Sequence, residues 1–286
     1  MKISMLSDHV CHLGEGPLWD VQEQALYWVD SLGPVLYRYD YASSRVRSWP
    51  LPGVSAGSLA LRERGGLILA LDRGIYAFDT DSGRLELIVE ALSGTQGFRL
   101  NDGKVDPFGH FVTGAMNIDF RETRNCAMYR LSPALKLTQI LDGFHCFNGP
   151  CFSTDGSRLY VTGREEGVIE EFDYGCDLRP LGARDFVRDC NPDGATVDAE
   201  GFLWSAQWDD ACIIRVAPDG RIDQRIEFAG QVVSSVMFGG PQLDLIYVTT
   251  TAAEVCGVAP SAARAGRVLV VSETGYRGRP EPRFLG

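Results

Sequence analysis

VDAEGFLWSAQ, residues 197–207, opens on a turn containing Asp and Gly and runs into a short apolar strand centred on Trp204. The same unit recurs along the chain. DVQEQALYWVD, LRERGGLILALD, VDPFGHFVTG, STDGSRLYVTG and GGPQLDLIYVTT repeat it, centred on Tyr27, Ile68, Phe111, Tyr160 and Tyr247. Neighbouring centres lie 41 to 49 residues apart, the period of one four-stranded propeller blade and too long for leucine-rich or ankyrin units. Six units predict six blades. Runs such as PVLYRYDYASSRV and CIIRVAPDGRIDQRIEF follow the centres and read as strand, hairpin and strand, completing four strands per repeat.

An open sheet array would leave reactive edges, so the ring has to close. ISMLSD near the N-terminus is predicted to pair with RVLVVSE in the last blade. No Pro/Ser-rich linker, charge run or low-complexity segment interrupts the series, and residues 1–286 read as one all-β, six-bladed β-propeller domain.

The bulk properties agree with a globular chain. Of its 286 residues 45% are hydrophobic and 23% charged, enough apolar material for a core. A formal net charge of -11 offers no basic stripe to displace counterions from phosphates, which argues against a nucleic-acid partner. No stretch approaches the roughly 18 apolar residues of a membrane span. Eight cysteines without CxxC spacing, and an N-terminus without an apolar signal region, predict buried free thiols and a reducing cytoplasm.

Equivalent positions of a propeller converge on its axis. Ten to twelve residues before the centre, where the innermost strand begins, four repeats carry Glu15, Asn101, Asn148 and Asp193. Two carboxylates and two amides, without His or Cys, make a hard oxygen donor set for one divalent cation. Ca, Mg and Mn suit it in principle, and Zn or Fe can occupy oxygen sites. Asn-Asp-Gly and Pro-Asp-Gly are also ordinary turn sequences. Asp155-Gly156 and Asp219-Gly220 are read as such turns, whereas Glu15 has no turn-forming role and the four positions share one phase.

LGEGPLWD, RLNDGKVDPFGHFVTGAM, NGPCFSTDGSRLYVT and NPDGATVDAEGFLW resemble, in order and spacing, the signature stretches of the regucalcin/gluconolactonase (sugar lactone hydrolase) family. The resemblance implies that Glu15, Asn148 and Asp193 are metal ligands and that Arg99 and Asn101 contact substrate. It also implies that Asp119 binds sugar hydroxyls, with Glu122 as the competing carboxylate.

The implied reaction is metal-dependent opening of a small sugar lactone to its aldonic acid, with Asp193 as general base. Two alternatives use the same fold: a metal-dependent esterase or organophosphate hydrolase, and a calcium-binding propeller without turnover. Arg121, Arg124 and Arg164 suggest an acidic or highly oxygenated substrate. The four histidines, His9, His12, His110 and His145, do not sit in the spacing of a serine-hydrolase triad, and His145 is read as structural.

Overall fold

The computed structural model describes residues 1–118, 123–163, 165–175 and 179–286. Among these, 24 strands form six four-stranded antiparallel sheets, which follow one another around a closed ring. The first five blades start at the innermost strands Gly14–Asp20, Ala56–Leu61, Phe98–Val105, Asn148–Phe152 and Pro192–Val197. The sixth is built from Val233–Gly239, Leu245–Thr250 and Leu269–Ser272, with Lys2–Met5 as its outermost strand. Its register pairs Lys2 with Ser272 and Met5 with Leu269, so the ring closes as the sequence predicts.

Each repeat centre lies in the second strand of its blade, and burial explains why these strands stand out in the sequence. Ala25–Asp30, Leu67–Leu71 and Leu203–Gln207 are buried at every residue, because each is covered by blades on both faces. Strands buried on both faces read as continuous apolar runs rather than alternating ones. The outermost strands, such as Arg45–Pro50, are largely exposed and carry the weaker signal. The core therefore lies in layers between blades. Leu18, Tyr27 and Leu69 pack in one such layer, and Trp204, Phe238 and Ile246 in another. At the closing seam Trp19 stacks on Tyr247, with ring centroids 5.8 Å apart.

Asp155 and Asp219 do sit in hairpin turns: their carboxylates accept N–H bonds from Ser157 and Arg221 at 3.0 and 3.2 Å. Other turn aspartates are anchors that the sequence reading passed over. Asp198 is buried and accepts bonds from the Glu200 and Phe202 amides and from the Trp204 indole, each at 2.9 Å.

The residues after Ser272 cross one mouth of the channel, touching the loops between first and second strands of five blades. Leu243 accepts from the Gly278 amide, Ala199 donates to the Arg277 carbonyl, and Leu285 donates to the Gly109 carbonyl. Arg283 pairs with Asp20, and Phe284 exchanges backbone bonds with Leu61 and Glu63. Inside the channel Glu281 meets Lys104 at 3.4 Å and Thr196 at 3.3 Å. Phe284 has no exposed surface and belongs to the core of the second, third and fourth blades. Phe284→Ala is expected to cost about 3–5 kcal/mol, read as a lower urea midpoint. A loss under about 1 kcal/mol would mean that the tail adds nothing to the core.

Candidate functional site

All six innermost strands slip register against their neighbours at one place: after Glu15, Ala56, Leu100, Asn148, Pro192 and Val233. A bulge at that point re-aims the side chains beside it. Glu15, Asn101, Asn148 and Asp193 occupy or adjoin these slips, and all four line one pit at the mouth opposite the C-terminal tail. Arg99 lines it as well. The pit measures about 50 Å³.

Glycine makes the convergence possible. Gly16 and Gly149, directly after Glu15 and Asn148, have φ of +55° and +51°, a backbone that L side chains rarely adopt. At Gly149 a Cβ would also lie 2.6 Å from the Asp193 carbonyl oxygen. That contact is the close approach of the fourth and fifth innermost strands. Thr162, on the second strand Arg158–Gly163 of the fourth blade, ties the same two blades: its hydroxyl donates to the Asp193 carbonyl at 2.9 Å.

The third and fourth innermost strands are joined by Asn101 and Asp102. Asn101 Nδ2 donates to Phe147 O at 3.0 Å and to Asn148 Oδ1. With Cys146 Sγ at 3.3 Å as a third acceptor, these contacts fix the amide and orient the Asn148 side chain through Asn101. Asp102 Oδ2 accepts the Gly149 amide at 2.9 Å, and Oδ1 accepts that of Gly103 at 2.7 Å. Asp102, which adjoins the pit without lining it, carried no separate signal in the sequence although it stands inside the NDG motif. A turn reading of Asn-Asp-Gly hid its place in the strand, where it is half-buried.

Electrostatics favour a cation here. Burial pushes the Glu15 carboxyl well above the usual carboxylate range; Asp193 and then Asp102 push it further, against the Gly16 amide and Arg99. Burial likewise raises Asp102, opposed by Lys104 and the two amides it accepts. Crowded acids in a low-dielectric pit resist sharing it as anions unless a positive charge joins them. Among the described residues no three His, Cys, Asp or Glu side chains gather into a metal cluster. The donor set is instead mixed, with carboxylate oxygens of Glu15 and Asp193 and the amide oxygen of Asn148. It fits a hard divalent cation.

Other parts of the wall carried no signal in the sequence. Leu13, Met116, Glu165 and Trp208 line the pit, as does the hairpin Val255–Val258 through Val255 and Cys256. At the hairpin tip Cys256 and Gly257 both have positive φ, 56° and 77°, and Cys256 is exposed. The prediction of buried thiols therefore fails for Cys256 and holds for the other six described cysteines. Burial pushes Cys151, Cys190 and Cys212 up to about 12, which leaves them inert. His145 is held by Glu166, Nδ1 to Oε1 at 2.8 Å, a structural contact as read. Arg124 donates to Gly143 O at 2.7 Å, away from the pit lining. Asp119, Arg121, Glu122, Arg164 and Cys176 lie outside the described residues.

Fold and pit together define the class: a closed six-bladed propeller with a carboxylate and amide cluster on its axis. Residues 13–252 match the SMP-30/Gluconolactonase/LRE-like region, and the chain belongs to that family. It is 32% identical to a pentonolactonase of Haloferax volcanii over 99% of this chain and 98% of that one. It is 31% identical to an L-arabinolactonase of Azospirillum brasilense, over 100% and 96% of the two chains. A solved structure of regucalcin, a calcium-binding protein from Agrobacterium tumefaciens, superposes with a TM-score of 0.89 at 26% identity, covering 98% and 96%.

Proposed function

We propose that the protein hydrolyses a sugar lactone to the open sugar acid in the axial pit, with one divalent cation held by Glu15, Asn148 and Asp193. The observation that carries this reading is the convergence of Glu15, Asp193, Asn101, Asn148 and Arg99 on one small pit. The lactonase relatives support the substrate class. A cation bound there would polarise the lactone carbonyl and make a water more acidic.

The rest falls to the chain's own groups. A carboxylate oxygen of Asp193 accepts the proton of the attacking water as the new C–O bond forms. The ring C–O bond then breaks, and that proton passes to the departing ring oxygen, which becomes a hydroxyl. Arg99 has only donors, so it holds a ring or hydroxyl oxygen and takes no proton. Asn101, fixed by Phe147 and Asn148, orients the substrate and the Asn148 ligand together. Asp119, or Glu122 in its place, would bind sugar hydroxyls.

The calcium-binding relative favours a second reading, a propeller that binds the cation without turnover. A panel of aldono-lactones, assayed by acid release with spontaneous hydrolysis subtracted, separates the two. Hydrolysis above background supports the lactonase. Turnover of an aryl ester alone would replace it with an esterase, and tight Ca binding with no turnover would replace it with the binding module.

A further inference from the structure

The axial pit is too small for a sugar. About 50 Å³ admits a few waters or a carbonyl group, since one water needs about 10–15 Å³ on this measure. A lactone with its carbonyl in the pit therefore projects its ring out through the open mouth. Arg99 also lines a second cleft, of about 450 Å³, which lies within the range of about 300–1,000 Å³ that small-molecule sites occupy. Arg99 lines both spaces, so a substrate with its carbonyl in the pit and its far end in the cleft would pass along Arg99.

The cleft lies on the rim of the first three blades, and its chemistry is uneven. Leu32, Val54 and Ile118 border it and are 45%, 75% and 46% exposed, an apolar rim unsuited to sugar hydroxyls. Arg73 stands among them. Its backbone is pinned: its carbonyl accepts the amides of Ala91 and Leu92 at 2.8 and 3.1 Å. The preceding Asp72, at φ +44°, is anchored by the Ser55 amide and hydroxyl at 2.8 and 3.0 Å. The Arg73 guanidinium, in contrast, makes one long bond among the described residues, Nη1 to Thr95 O at 3.4 Å. It takes no part in the ion pairs that hold Arg38, Arg84, Arg158, Arg184 and Arg215 in this acidic chain.

We infer that this cleft receives the end of the substrate farthest from the carbonyl and that Arg73 selects lactones bearing an anionic group there, a carboxylate, phosphate or sulfonate. The inference rests on the lactonase reading of the pit. A guanidinium on a fixed backbone presents a planar fork of donors suited to such oxyanions.

The test compares kcat/KM for a neutral aldono-lactone, an aldaro-lactone with a terminal carboxylate and a phosphorylated aldono-lactone. The wild type is expected to favour a terminal anion about ten- to a hundredfold, the usual worth of a hydrogen bond to a charged group. Arg73→Gln should bring that ratio near unity, through KM rather than kcat, and Arg73→Lys should keep part of it. Preference for carboxylate or for phosphate alone identifies the anion. Calorimetric binding of the open-chain aldarate supplies a second readout. Lactone turnover with no anionic preference, or with a preference that Arg73→Gln leaves intact, overturns the subsite and spares the lactonase. Aldarate binding lost in Arg73→Gln, with no lactone turned over, spares the subsite and removes the lactonase.

Discussion

Replacing Asp193 with alanine is expected to lower kcat for an aldono-lactone about a thousandfold, the middle of the range for loss of a positioned general base. Asp193 is buried in the innermost strand Pro192–Val197, and its backbone carbonyl is held by Thr162. The main-chain anchor survives the substitution. Asp193→Asn, which keeps the volume, should lose nearly as much, because an amide cannot accept the proton. Circular dichroism and thermal midpoints of both variants separate lost chemistry from lost folding. Retention of a tenth or more of wild-type kcat by either variant would exclude Asp193 as the base.

The second large effect is expected at a residue with no functional group. A Cβ on Gly194 would lie 2.0, 2.4 and 2.8 Å from Oγ, Cβ and Cα of Ser235 on the neighbouring innermost strand. Neither backbone can absorb that overlap without moving. Gly194→Ala should therefore push Asp193 off its position, costing about a hundredfold in kcat, as a misplacement of about 1 Å does. Overpacking should also cost about 1–3 kcal/mol of stability. Adding Ser235→Gly removes two of the three clashing atoms and should restore part of the activity. Failure of that rescue, or wild-type kcat in Gly194→Ala, would show that the strand spacing does not set the site.

The blades were legible because strands covered on both faces carry a dense apolar signal, repeated at the length of one blade. Trp204 and Tyr247 mark it clearly. Ring closure was legible from the edge rule alone, and Lys2–Met5 pairs as expected. The C-terminal strap was not, because RGRPEPRFLG has neither period nor apolar run, and its anchor is the lone Phe284. Glu15, Asn101, Asn148 and Asp193 could be found because they share one phase of the repeat, where every innermost strand bulges.

Apart from Asp102 and Met116, which lie in strands, what escaped the sequence comes from loops without such a phase. Cys256 reaches the pit on a two-residue hairpin outside the named strands, and Trp208 follows the second strand of the fifth blade. The cleft beside Arg99 is assembled from segments of three blades, which no single motif can announce. Of the arginines singled out in the sequence, only Arg99 lines the cleft among the described residues; Arg73 gave no signal because it sits in a tight turn between two apolar strands.

The most direct measurement is lactone hydrolysis by the wild-type protein after exhaustive chelation, with metal content followed by elemental analysis. Hydrolysis should fall to the spontaneous rate and return on addition of a single equivalent of one divalent cation, whose identity the best restoration reveals. Undiminished hydrolysis by protein verified free of metal would contradict the proposed role of Glu15, Asn148 and Asp193.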